Sequence, residues 1–122
     1  MELINRSLLL KHIDDISKLE QNWNGYNAPP IEQIVVDNAK KVIDILQYQP
    51  DIYPTARNSI QIEYNEGKNR NAYLEIEVYK DKYTVLIVYE HNYQAAFTDT
   101  ITDILKLSSI IQPFFDIVVN YK

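Results

Sequence analysis

Two short acidic patterns, Gln61-x-Glu63 and Glu75-x-Glu77, lie inside stretches that alternate apolar and polar residues. Residues two apart share one face of a strand, so adjacent strands would gather Glu63, Glu75 and Glu77 beside Gln61. Carboxylates grouped this way can accept from Arg or Lys of a partner. They can also share an oxygen-seeking cation such as Mg2+ and support metal-dependent hydrolysis. Tyr73, Tyr79, Tyr83 and Tyr89 border the same positions, and Tyr supplies contact area at low entropic cost. The two histidines offer less. His12 stands two and three residues before Asp14 and Asp15, spacings that split over the faces of a helix and read as solvated charge. His91 follows Glu90 at a strand end with no special geometry. No Ser or Thr sits in a nucleophile elbow, and two glycines, Gly25 and Gly67, are too few for a phosphate-cradling loop.

The elements that must position these residues belong to a chain of 122 residues with 46% hydrophobic content, 12 basic against 17 acidic groups and a net charge of −5. That length fits one α+β domain spanning residues 1–122. The absence of cysteine excludes disulfides, thiolate zinc sites and Cys nucleophiles. An isoelectric point near 4.9 and scattered Lys and Arg argue against nucleic acid as a partner. The longest apolar run near the start, Leu8-Leu9-Leu10, is too short for a signal peptide or a membrane span, so a cytoplasmic protein without membrane association is expected. No metal or cofactor is expected.

Leu9, Ile13, Ile16 and Leu19 fall at helical steps within Leu3–Leu19 and predict a first helix. Asn, Gly and Pro residues between Gln21 and Pro30 end it. Pro30 suits a first helical position, Glu32 suits the helix dipole, and Ile31, Val35, Ala39, Val42 and Leu46 form a stripe lasting to Gln49-Pro50. Asp51–Arg57, with Pro54 and no clear period, reads as a connection. Ile60/Ile62/Tyr64 and Leu74/Ile76/Val78 then alternate as strands, joined by a hairpin loop at Glu66–Arg70. Lys80-Asp81-Lys82 leads to a third strand, Tyr83–Glu90, apolar on both sides. Asn92–Phe97 is a candidate fourth. Thr98 or Asp99 could cap a final helix that Pro113 should break or kink before Phe114. The expected fold is therefore an antiparallel three- or four-stranded meander with helices on one face, in the order α-α-β-β-β-(β)-α.

A five-residue hairpin loop sets Ile62 near Leu74 and Gln61 near Glu75. The face opposite the core then carries Gln61, Glu63, Glu75 and Glu77, bordered by the tyrosines, with Val85 and Ile87 from the third strand. It reads either as a recognition face or as an ordinary solvated face of an antiparallel sheet.

Asn22-Trp23-Asn24-Gly25-Tyr26-Asn27-Ala28-Pro29-Pro30 resembles the N-W-D-G-Y-G-A-x-P signature of a widespread group of small bacterial and phage proteins. Pro54-Thr55 followed by Ile60-Gln61-Ile62-Glu63-Tyr64 resembles that group's P-T-x-x-G-G-[IV]-Q-L-E-W segment. Leu74-Glu75-Ile76-Glu77 resembles its L-E-I-E strand. Together they cover about residues 20–90. Here Asn24 replaces the Asp, Asn27 the second Gly, and Asn58-Ser59 the Gly pair, which puts any role for a charge at position 24 in doubt. The group has no established activity. The resemblance implies a setting beside toxin-like or mobile-element genes, and it implies a shared role for the outward Gln and Glu positions, as a contact or as an anchor for the Trp23 loop.

Trp23 and Tyr26 admit two readings: anchors for a partner, or a plug at the end of the core with the indole N–H bonded to a nearby carbonyl. The function expected is non-catalytic. A small interaction protein would use Gln61, Glu63, Tyr73, Glu75 and Glu77, with Trp23 and Tyr26, to capture a basic surface on a partner protein, as an antitoxin, immunity protein or phage-borne inhibitor would. The alternatives are the metal-dependent hydrolase, and a homo-oligomer pairing through the third strand or Pro113–Val119.

Overall fold

The computed structural model describes residues 1–66, 72–89 and 92–120, with backbone alone for residues 92–96 and 120. The element order is α1 (Arg6–Ser17), α2 (Gln33–Ile45), β1 (Asp51–Thr55), β2 (Ser59–Asn65), β3 (Ala72–Val78), β4 (Tyr83–Tyr89), β5 (Asn92–Ile101) and α3 (Ile104–Asn120). The strands form one antiparallel sheet in sequence order, β1-β2-β3-β4-β5. An α+β meander with its helices on one face is what the alternation predicted.

Each helix contributes an apolar stripe to a single core. Asn5 caps α1 by accepting from Leu8 N–H at 3.1 Å, and Leu9, Ile13 and Ile16 are buried one turn apart. From α2 come Val35, Val36, Ala39, Val42 and Ile43, and from α3 Leu107, Ile111, Phe114, Phe115 and Val118. These pack with Ile60, Ile62, Leu74, Ile76, Val85 and Ile87 of the sheet in one cluster. All three helices therefore cover the same side, and no described element lies over the second face of the sheet. Aromatic rings close the α3 end: Tyr64 meets Phe115 edge-on at 4.9 Å, and Phe114 lies 5.4 Å from Phe115 and 6.4 Å from Tyr89. The Tyr64 hydroxyl, deep in this cluster, donates to Tyr48 O at 2.7 Å, and burial raises its pKa far above the usual phenol range.

Several boundaries differ from the expectations, each for a physical reason. Asp51–Thr55 is a strand, not a connection: Pro54 lies in an edge strand, where its missing N–H is tolerated. Helix α2 begins at Gln33 rather than Pro30, because Glu32 is held extended with its N–H bonded to Asn58 Oδ1 at 2.9 Å. It also ends at Ile45, short of Gln49. Thr98 and Asp99 lie within the ten-residue β5, and the α3 cap is Asp103, whose Oδ1 accepts from Leu105 N–H at 3.0 Å. Helix α3 runs through Pro113 as one element, its later turns held by Phe114, Phe115 and Val118 in the core.

The β2–β3 register places Ile62 opposite Ile76 and Gln61 opposite Glu77, two residues from the expected pairing. Glu66 N–H donates to Ala72 O at 2.8 Å, so the strands meet one residue further along each arm. Most of the expected loop Glu66–Arg70 lies outside the described residues, as do Glu90 and His91. A slip of two leaves every side chain on its predicted face but changes its cross-strand partner.

Of the two segments expected to pair in a homo-oligomer, strand β4 lies between β3 and β5, and Pro113–Val119 buries Phe114, Phe115 and Val118 in the core while leaving Ile117 exposed. Phe114→Ala should cost about 3–5 kcal/mol by emptying a fully enclosed site, whereas Leu105→Ala, at an exposed position of α3, should change stability by less than about 0.5 kcal/mol. Urea unfolding of the two variants beside wild type measures both.

Candidate functional site

The cross-strand pairs order the open face into rows. One row runs Asp51, Glu63, Glu75, Leu86 and Thr98 across β1 to β5; the next runs Tyr53, Gln61, Glu77, Thr84 and Thr100. Three carboxylates thus stand directly opposite one another, an arrangement that destabilises a sheet by a few tenths to about 1 kcal/mol per close pair. Asp51 was missed from the sequence because β1 was read as a connection. Reading Asp51-x-Tyr53 as an edge strand would have put it in the row.

The neighbours respond to this charge. Tyr73, opposite Val88 in the adjoining row, brings its hydroxyl to 2.9 Å from Glu63 Oε2 and 2.8 Å from Glu75 Oε1. Burial and the hydrogen bonds to Glu75 and Glu63 push the phenol pKa well above its usual range, so Tyr73 keeps its proton. A phenol carries one proton and serves one carboxylate at a time. Gln61 Nε2 donates to the same Glu63 oxygen at 3.1 Å. Tyr53 is raised as well, by burial and then by Asp51 and Glu63.

Glu77 behaves differently from its neighbours. Its side chain is 8% exposed, and Oε2 accepts from Arg57 Nε at 2.9 Å and from the Ser59 hydroxyl at 2.5 Å. Ser59 in turn pairs with Thr55 Oγ1, which accepts from Arg57 N–H at 3.1 Å. Burial alone would raise the Glu77 pKa; hydrogen bonds from Arg57, Ser59 and Tyr79, with the Arg57 charge, outweigh it and hold it below the ordinary 4.5. Lys82 lies over the Tyr79 ring at 5.0 Å, completing this corner. Thr55, Arg57 and Ser59 carried a faint sequence signal, polar residues two apart entering β2, that the hydrophobic alternation obscured.

Gln61, Glu63, Tyr73 and Glu75 are therefore brought together, half-buried and hydrogen-bonded to one another, while Glu77 is on the same face but committed to Arg57. Val85, Ile87, Tyr83 and Tyr89, expected on or beside this face, belong to the core side. Their register partners Ile76, Leu74, Val78 and Ala72 are core residues, and β4 instead presents Thr84, Leu86 and Val88. A shallow groove lined by Glu75, Thr84, Leu86, Thr98 and Thr100 crosses the face. Among the described residues, no group of three or more His, Cys, Asp or Glu is arranged to hold a metal ion.

Trp23 and Tyr26 lie away from the sheet, in the α1–α2 connection. The Trp23 indole donates to Pro29 O at 2.8 Å and is half-buried; Tyr26 is 88% exposed. Asn24 Oδ1 accepts from Tyr26 N–H at 2.8 Å and Ala28 N–H at 3.1 Å, a task that needs an acceptor oxygen and no charge. Asn27 and Asn58, which stand where the resembled signature has glycine, both adopt left-handed backbone, φ +66° and +55°.

Comparison with known proteins finds no match among protein-family models, curated proteins or solved structures. No helix of the described residues is long and apolar enough to cross a membrane.

Replacing Arg57 by Met leaves the Glu77 carboxylate buried with a missing partner and should cost about 1–3 kcal/mol. Because the folded pKa of Glu77 is lowered, its contribution is present above the unfolded value of 4.5 and is lost as pH falls through the folded value. Urea unfolding of wild type and Glu77→Gln from pH 7 down to about pH 3 should show a shallower acid loss in the variant.

Proposed function

We propose that this protein is a non-catalytic interaction module whose open sheet face captures a basic surface on a partner protein. The observation that carries this reading is the row of Asp51, Glu63 and Glu75, three carboxylates opposed across three strands with one phenol proton, from Tyr73, shared between two of them. Like charges so arranged oppose folding. Guanidinium or ammonium groups of a partner would reverse the sign of the interaction. Leu86 and Val88, half-buried beside the row, add apolar area, and Tyr53 and Tyr73 add aromatic surface of the kind that dominates binding hot spots.

A net charge of −5 favours fast association with a basic partner, such as the substrate groove of a nuclease. Cytoplasmic inhibitors of toxins or of defence enzymes have this requirement, and the sequence resemblance supports the same class.

Two measurements test the reading. Glu63→Gln with Glu75→Gln should raise stability by about 0.5–1 kcal/mol in low salt, with the gain shrinking as salt is added, because the free protein loses a repulsion it carries for its partner. In affinity capture from native cells, wild type should retain a stoichiometric partner that Glu63→Lys with Glu75→Lys releases. A partner held equally by the charge-reversed bait would refute the acidic-face reading.

A further inference from the structure

The Asn22–Pro30 loop is built for rigidity around a side chain that the fold does not use. Three residues within it take left-handed backbone, Asn22 at φ +68°, Gly25 at +77° and Asn27 at +66°, a conformation that non-glycine residues adopt at a cost. Asn22 N–H donates to Ala28 O at 2.8 Å, and Asn22 Oδ1 accepts from Asn27 N–H at 2.7 Å. Gln21 Nε2 donates to Asn27 Oδ1 at 2.9 Å, and Asn24 and Trp23 add the bonds described above. Ala28 and Ile31 anchor the far end in the core. A Cβ on Gly25 would meet nothing within 4 Å, so glycine is there for its backbone angle and not to let another element approach.

All of this order surrounds Tyr26. Its ring is 88% exposed, and folding gains little by burying it. A large aromatic held in open solvent on a locked loop is pre-organised for contact, because the entropy of ordering the loop is lost on folding and not again on binding. The chemistry of the loop describes what it fits. Gln21 through Ile31 contains no charged residue in a chain that is 24% charged. Asn22, Asn24 and Asn27 direct their Oδ1 atoms to hydrogen bonds within the loop, leaving three Nδ2 donors that have no partner among the described residues. No Lys or Arg is present to follow a phosphate backbone.

We propose that the Asn22–Pro30 loop is a preformed recognition loop that inserts Tyr26 into an uncharged pocket of a partner protein, a pocket rimmed by carbonyl acceptors for the Asn amides. Trp23 is the internal staple and Tyr26 the contact, which divides between them the roles the sequence left shared. The proposal does not rest on the acidic face. Contact through the loop is insensitive to salt, whereas contact through Glu63 and Glu75 is screened by it.

The test is site-specific photo-crosslinking of the full chain in lysate of its native cells, with p-benzoylphenylalanine introduced at position 26, at position 98 beside the acidic row, or at exposed position 105 as a control. The expected result is one discrete crosslinked protein from position 26 and none from position 105, with a yield that persists at about 0.5 M salt. Asn24→Ala, which unlocks the loop, should lower that yield about tenfold without lowering the yield from position 98. Backbone 15N relaxation of the free protein should show residues 22–30 as ordered as α2. A product from position 98 alone overturns the loop proposal and leaves the acidic face standing; a salt-resistant product from position 26 alone supports the loop and counts against that face. Equal labelling from positions 26 and 105, a yield unaffected by Asn24→Ala, or a loop mobile on the nanosecond timescale would each overturn it.

Discussion

Alternation carried without interruption through β2, β3 and β4 is the constraint on which the rest of this structure depends. Ile60, Ile62 and Tyr64 on β2, Leu74, Ile76 and Val78 on β3, and Tyr83, Val85 and Ile87 on β4 all point to one side. That side can be covered only by helices, and all three helices lie there. Period two then dictates the other side: Gln61, Glu63, Glu75, Glu77, Thr84 and Leu86 cannot be moved inward without moving every core residue outward. The acidic face is thus the necessary complement of the core in position, although nothing in the core requires it to be acidic.

The two ends of that face solve the problem of charge differently. At the β1–β2 turn, Glu77 is buried, and Arg57, Ser59 and Tyr79 supply donors that hold it ionised. This is a closed arrangement, with each oxygen-bearing group answered from within. In the middle of the sheet, Glu63 and Glu75 have, among the described residues, Gln61 and a single phenol proton between them. Magnitudes show why the fold tolerates this. A close like-charge pair opposes folding by a few tenths to about 1 kcal/mol, whereas one enclosed aromatic such as Phe114 contributes several times as much. The core can carry an unsatisfied face without becoming unstable.

Legibility in the sequence followed the strength of the periodic signal. The α-helical stripes of α1 and α2 and the alternation of β2, β3 and β4 are long enough to name both element and face, so Gln61, Glu63 and Glu75 could be assigned to one surface from spacing alone. Strand β1 was hidden because five residues with a proline do not establish a period, and with it went Asp51, the third member of the row. Strand pairing was hidden because alternation fixes faces and so determines register only modulo two, leaving slips of two residues open. Val85 and Ile87 were misplaced for a related reason: β4 is apolar on both sides, so its own sequence does not say which set faces the helices. The Arg57 partnership with Glu77 depends on a turn and twenty residues of separation, and neither leaves a local trace.

The loop after α1 reverses the usual relation between rigidity and burial. Loops stay open because exposed backbone gains little by being fixed, and ordered ones are normally packed against the body of the protein. Here only Trp23, Ala28 and Ile31 reach inward, yet Asn22, Asn24 and Asn27 together hold the intervening backbone in a shape with three left-handed residues. The side chains that do this are amides, which suit the task because they tolerate left-handed backbone and accept from N–H groups without adding charge. An Asp at position 24 would make the same two bonds, and glycine at 27 or 58 would reach the same angles, so each departure from the resembled signature preserves a geometric role. The loop therefore spends its hydrogen bonds on the path of its backbone, and Tyr26, 88% exposed, gains nothing for the fold from that path.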